Sequence, residues 1–170
     1  MKILTRIIAM TTVSFAMTLC GCALLPPVPL DDGVTRQIRA TIPSEEGSIK
    51  YSSIGLWFPN SSEFKISAFN VNPETKMQGI VVVTEKCLLF LQWGGPMGFT
   101  ILKRQSYSEI EKISLIEFGL AARIAIKNTQ GIYDSFCASN SAGDIGFRLG
   151  TQGMYETISE ARRVASNLMK

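Results

Sequence analysis

The chain has 170 residues, 46% hydrophobic and 18% charged, with four Cys and no His. That composition supports a globular core and excludes a disordered or collagen-like chain, and the missing imidazole removes every triad, relay or metal site built on His. The 17 basic and 14 acidic residues give a net charge of +3; Lys2 and Arg6 lie in the leader taken up next, so the rest is almost neutral and lacks the clustered basic excess of a nucleic-acid binder.

Met1 to Arg6 carries Lys2 and Arg6 without an acid, and an uncharged, largely apolar run follows from Ile7 to Leu19. A membrane span needs about 20 apolar residues, so this shorter run predicts the core of a secretory signal peptide and not a transmembrane helix. Leu19-Cys20-Gly21-Cys22-Ala23 comes next. It resembles the lipobox of bacterial lipoproteins, in which a Leu stands three places before the modified Cys and a small residue precedes the cut. The resemblance implies a signal peptide over residues 1–21, a diacylglycerol on the sulfur of Cys22 and an acylated new amino terminus. Cys20 fits less well, because bulky Leu19 would precede the cut; an ordinary secreted protein cut before Pro26 is the alternative. Two or more acyl chains, at about 0.8 kcal/mol per buried CH₂, hold a protein stably to a bilayer. The membrane is therefore the first expected partner, reached through Cys22. Ala23 stands where enteric-type lipoproteins use Asp as an inner-membrane signal, so the resemblance implies the outer membrane of a bacterial cell envelope, facing the periplasm.

Residues 22–32 read as a lipidated terminus and tether, which Pro26, Pro27 and Pro29 keep from being helical. Residues 33–62 read as an N-terminal extension that packs on the main domain. Within it Thr35 to Ile42 can form a short helix ending before Pro43, and Ile49 to Tyr51 and Ile54 to Phe58 are strand or buried helix.

Residues 63–170 form the expected domain. Phe64 to Phe69 alternates as a strand closed by a turn at Asn70 to Pro73. Gly79 to Thr84 and Lys86 to Trp93 are β-rich runs, the loop Trp93 to Gly98 follows, and strands resume over Phe99 to Lys103, Ile110 to Phe118, Leu120 to Lys127 and Gly131 to Ala138. Short, evenly spaced strands without intervening long helices predict an antiparallel sheet. Ser139 to Gln152, with Gly143, Gly146 and Gly150, predicts a long loop. Met154, Ile158, Ala161, Val164, Ala165 and Leu168 then make one helical stripe, acidic toward its start and basic toward its end.

The succession GIVVVTEKCLLF, a glycine-containing loop, YSEIEKISLIE, the hairpin ARIAIKNTQGIYDSF and a last helix resembles the GRAM and bacterial PH-like group of the pleckstrin-homology superfold. That resemblance implies a mainly β fold: two near-orthogonal antiparallel sheets, seven strands in all, capped by a C-terminal helix. A lipocalin-like up-and-down barrel is the alternative fold. The family implies a non-catalytic binding or scaffold module for a protein or lipid partner; a carrier of a small apolar ligand, or an enzyme using the interior, is the alternative.

The remaining chemistry is sparse. Cys87 and Cys137 are either a disulfide suited to an oxidising compartment or two buried free thiols. Two thiols without His do not make a metal site, and no residue pattern asks for a cofactor. Trp93 and Met97 in the glycine-rich loop are a candidate partner contact, and Lys103-Arg104 after a strand is a candidate grip for a phosphate headgroup or is solvated charge. Glu109 and Glu111, beside Ser108 and Lys112, read as solvated edge charge.

Overall fold

The computed structural model describes residues 30–61, 76–139, 145–146 and 148–168. Helix α1 spans Asp32–Thr41, a 3-10 turn covers Ser44–Glu46, and seven strands follow: β1 (Ile49–Ser61), β2 (Met77–Thr84), β3 (Cys87–Trp93), β4 (Phe99–Ser106), β5 (Ile110–Phe118), β6 (Ala121–Asn128) and β7 (Tyr133–Ala138). Helix α2, Arg148–Leu168, closes the chain. All the pairings are antiparallel, in the order β4-β3-β2-β1-β7-β6-β5.

β4 and β5 stand at opposite edges of this sheet, yet the 3-10 turn Tyr107–Glu109 alone joins them. Laid flat, seven strands would hold their edges about 29 Å apart, whereas the link from Ser106 to Ile110 reaches at most about 14 Å. The sheet must therefore curl. It does not close, because β4 and β5 do not pair with each other, and this rules out the up-and-down barrel. The two expected sheets are the two wings of one continuous sheet that share β1, and with the C-terminal helix the fold is PH-like.

The central strand lies where the sequence reading placed an extension. β1 pairs with β2 on one side and β7 on the other, so the sheet begins at Ile49. Ser52, Ser53 and Gly55 hide the strand by interrupting its apolar pattern. Gly55 sits opposite Gly79 across the β1–β2 ladder. A Cβ on Gly55 would collide with the Cys137 carbonyl oxygen and the Val81 side chain, and one on Gly79 with the Leu91 carbonyl and the Phe90 ring. Both positions need glycine because backbone and ring approach too closely for any side chain. The strand expected at Phe64 to Phe69 and its turn at Asn70 to Pro73 lie outside the described residues, as do the signal peptide and Cys22.

Curling gives the sheet two cores. Inside, Trp57, Val81, Val83, Leu88, Phe90, Ile124, Ile126 and Phe136 pack with Met154 and Ile158 of α2. The Trp57 ring lies 5.5 Å from Phe90 and stacks at 6.4 Å on Phe136. Outside, Val34 and Ile38 of α1, with Ile42, cover Ile54, Ile80, Val82, Leu89 and Leu91. This second layer explains why Ile80 to Val83 and Leu88 to Leu91 are unbroken apolar runs: these strands are buried on both faces, so the alternation of a one-sided sheet is absent. Asp31 caps the start of α1, its carboxylate accepting from the Val34 N–H at 2.7 Å.

α2 begins at Arg148, inside the stretch expected as loop. Gly150 and Gly153 each cost about 1 kcal/mol in a helix, and tertiary contacts offset that cost. The Thr151 hydroxyl accepts from the Ala138 N–H at 3.1 Å, and the Tyr51 hydroxyl donates to the Gly150 carbonyl at 3.1 Å.

Candidate functional site

Trp93 and Met97 fall at one rim of the sheet, where β3 ends and β4 begins. Trp93 is half-buried with its ring 4.9 Å from Phe99. Gly95–Met97 forms a 3-10 turn, closed by hydrogen bonds from the Gly94 N–H to the Gly98 carbonyl at 2.7 Å and from the Gly98 N–H to Gly95 at 3.0 Å. On this braced turn Met97 is 91% exposed. Facing it, Gln37, Ala40 and Thr41 at the end of α1 complete a concavity of about 410 Å³. The sequence places the loop correctly, but the contribution of α1 to it was not legible, since nothing in residues 37–41 marks a contact with residues 93–99.

Lys103 and Arg104 stand side by side on β4 but point to opposite faces, and each binds an internal carboxylate. Lys103 reaches Asp134 of β7 at 2.7 Å. Asp134 is buried and also accepts from the Trp57 indole N–H at 3.1 Å and the Asn60 N–H at 3.2 Å. Arg104 donates to Glu46 through Nε at 2.6 Å and Nη2 at 3.2 Å, and the Cys87 thiol donates to the same carboxylate at 3.0 Å. Arg104 holds the Glu46 carboxyl below its ordinary range against the opposing effect of burial. Both cations thus brace the fold, Lys103 across the inside and Arg104 across the outside. Sequence reading missed the two acids that engage them, because a lone Asp134 in a strand and Glu46 in a short turn look like surface charge.

The disulfide considered for Cys87 and Cys137 does not form: both cysteines are free and buried. Cys87 lies on β3 and Cys137 on β7, with β2 and β1 between. Three strand spacings, about 14 Å, exceed the Cα separation of about 7 Å that a disulfide tolerates. Burial pushes the Cys87 thiol up to about 12 and the Cys137 thiol up to about 11, which leaves neither as a nucleophile at neutral pH. Glu109 and Glu111 go to separate partners: Glu109 accepts from the Ser106 N–H at 3.1 Å, and Glu111 pairs with Lys127 at 2.7 Å. Among the described residues no group of His, Cys, Asp or Glu is arranged to hold a metal ion.

A larger concavity, of about 960 Å³, was not expected. It runs between one side of α2, from Glu156 to Ala165, and a wall built from Lys50, the β2–β3 turn and the β4–β5 link at Ser106 to Ser108. Tyr107 makes its base. That residue opens the run YSEIEKISLIE, and its buried hydroxyl donates to the carbonyls of Thr84 at 2.7 Å and Cys87 at 3.0 Å, pinning the β2–β3 turn. On the rim Glu85 accepts from Lys50 and Ser48 at 2.8 and 2.7 Å. In the sequence this face of α2 reads as part of the core stripe. Val164, 45% exposed, shows that the stripe is wider than the core it covers.

No protein-family model matches the sequence, and no curated protein does. Among solved structures, the activated truncation of Vav1 gives a TM-score of 0.51 at 12% identity, over 76% of this chain and 31% of that one. A C-terminal domain of an unknown protein from Leishmania infantum gives 0.47 at 14% identity, over 75% of this chain and 97% of that one. The Vps36 N-terminal PH domain gives 0.45 at 10% identity, over 75% and 86%. The chain spans less than a third of the Vav1 truncation. At these identities the likeness concerns the fold alone.

Proposed function

We propose that the chain is a lipoprotein of the bacterial cell envelope, held at the periplasmic face of the outer membrane through Cys22, and that its PH-like domain works without catalysis by binding a protein or lipid partner. The observation that carries this reading is Met97, 91% exposed at the tip of a hydrogen-bonded turn beside a concavity. An apolar side chain presented on a rigid scaffold is what contact recognition uses. The anchor rests on the ordered run from Lys2 through the apolar segment to Leu19-Cys20-Gly21-Cys22. Among the described residues no helix is long and apolar enough to cross a membrane. Against a carrier, the interior is filled by the rings of Trp57, Phe90 and Phe136.

The anchor is tested by acyl labelling in cells. Cys22→Ser is expected to lose the label and stay unprocessed, while Cys20→Ser is processed and labelled as the parent; equal labelling of the two variants overturns the assignment. Reproducible turnover of any envelope substrate by the purified protein overturns the non-catalytic reading.

A further inference from the structure

The groove along α2 shares no lining residue with the Met97 rim, and its polarity changes along its length. Two hydrogen bonds fix its ends. The Tyr51 hydroxyl on the Gly150 carbonyl sets the start of β1, with Lys50, beside the early turns of α2. Arg162 donates through Nη2 to the Ile110 carbonyl at 2.7 Å, which sets the β4–β5 link beside the later turns. Glu156 thus belongs to the Lys50 end, whereas Ala161, Val164 and Ala165 line the other end over the Tyr107 base. Lys86 stands between the two, because it follows Glu85, the partner of Lys50, and its carbonyl accepts from the Tyr107 N–H at 3.3 Å.

Most of the charge here is already neutralised. Lys50 pairs with Glu85 at 2.8 Å, and Glu160 with Arg163 at 2.6 Å. Among the described residues Lys86 and Glu156 enter no such pair; both are exposed, and Glu156 accepts from the neutral Gln152 amide at 2.9 Å. Along about 12 Å of helix the groove therefore presents an acid, then a base, then an apolar trough in which Val164 is left 45% exposed.

We propose that this groove holds a phospholipid whose head carries both an ammonium and a phosphate group, with one acyl chain lying in the trough. The groups of such a lipid follow one another as ammonium, phosphate and chain, which is the order Glu156, Lys86, trough. A purely anionic head satisfies Lys86 and leaves Glu156 uncompensated, and a purely cationic head does the reverse. A chain laid over Val164 and Ala165 removes apolar surface from water, and about 960 Å³ is within the size of ligand sites. The inference rests on the reading of the domain as a non-catalytic binding module and names the lipid for it.

Photolabelling tests this. The full chain in non-ionic detergent micelles is mixed with phosphatidylethanolamine carrying a diazirine in one acyl chain, irradiated, digested and mapped by mass spectrometry. Detergent keeps the chain in solution whether or not Cys22 is lipidated, so the outcome is independent of the anchor. Label is expected on residues 106–108 and 161–165, about three- to fivefold above that from the same probe with a phosphatidylglycerol head. Glu156→Lys reverses that preference. Val164→Asp abolishes the label, and an unchanged circular dichroism melt shows that its fold survives. Label spread over the whole surface, equal labelling of the parent by the two heads, or Val164→Asp labelled like the parent each overturns the proposal. Label confined to residues 93–99 overturns it too, while keeping the binding-module reading. Cleavage of a probe that labels the groove does the opposite: the lipid stands and the non-catalytic reading falls.

Discussion

Two helices cover the two faces of one sheet, and they are held by different means. α2 drives Met154 and Ile158, both fully buried, into a core already filled by Trp57, Phe90 and Phe136. α1 is half as long and buries Val34 and Ile38 against the outer face, and the chain after it is stapled to β3 and β4 by Glu46, Cys87 and Arg104. A long helix in a concave core is secured chiefly by apolar area, helped near its start by the hydrogen bonds of Tyr51 and Thr151. A short helix on a convex face leans in addition on a charged contact, in which Arg104 holds the Glu46 carboxyl below its ordinary range.

The strongest way to challenge this contrast is to empty each core in turn. Phe90→Ala removes a ring that touches Trp57 and lies over Gly79, and it is expected to cost about 3–5 kcal/mol, read from the urea midpoint. An unchanged midpoint would place Phe90 outside the inner core. Ile38→Ala on the outer face is expected to cost about 2–4 kcal/mol. Hydrogen exchange then decides how separate the layers are. If the outer layer opens alone, Ile38→Ala speeds exchange in residues 34–41 and leaves the inner strands protected; uniform acceleration would mean one cooperative unit.

A smaller effect isolates the staple. The Glu46 carboxyl is held below its ordinary 4.5 in the folded chain by Arg104, so its protonation opposes folding. Its stabilising contribution is complete above about pH 4.5 and is lost as the pH falls through the lowered folded value. Because Arg104 is half exposed, the contact contributes about 2 kcal/mol at pH 7. Glu46→Gln is expected to lose that amount near neutrality and to approach the parent in acid. Parallel stability curves from pH 7 to pH 3 would show that the carboxylate charge plays no part.

The same contrast explains what the sequence disclosed. Leu88 and Phe90 face inward with Ile124 and Ile126 while Leu89 and Leu91 face outward, and the unbroken run Leu88 to Leu91 discloses the strand but not which of its residues take which face. Thr35 to Ile42 reads as a segment able to form a short helix before Pro43, and α1 forms there but starts three residues earlier, at Asp32, which brings Val34 into the face it buries with Ile38. β1 was obscured because its small residues serve close packing against β2 and β7, a need that exists only once those strands are in place. The start of α2 was obscured for a related reason, since Gly150 and Gly153 speak locally against a helix that Tyr51 and Thr151 secure from a distance. The buried acids Glu46 and Asp134 were the least legible, as their partners lie 58 and 77 positions away in Arg104 and Trp57.

The smallest expected effect on stability belongs to the rim, where the contrast between packing and contact can be drawn at neighbouring residues. Trp93 is half-buried against Phe99, so replacing it disturbs both the fold and any surface it offers. Met97 is almost wholly in solvent, and the turn that carries it is closed by backbone hydrogen bonds of Gly94 and Gly98 that do not involve its side chain. Met97→Ser is therefore expected to shift the urea midpoint by less than about 0.5 kcal/mol, while removing an apolar group that a partner would cover. With Cys22 and the anchor left intact, crosslinking in whole envelopes measures the second effect directly. Loss of a crosslinked product that the parent forms reproducibly, with an unchanged midpoint, separates contact from packing at this rim. Undiminished crosslinking by Met97→Ser would move the contact surface away from residues 93–99.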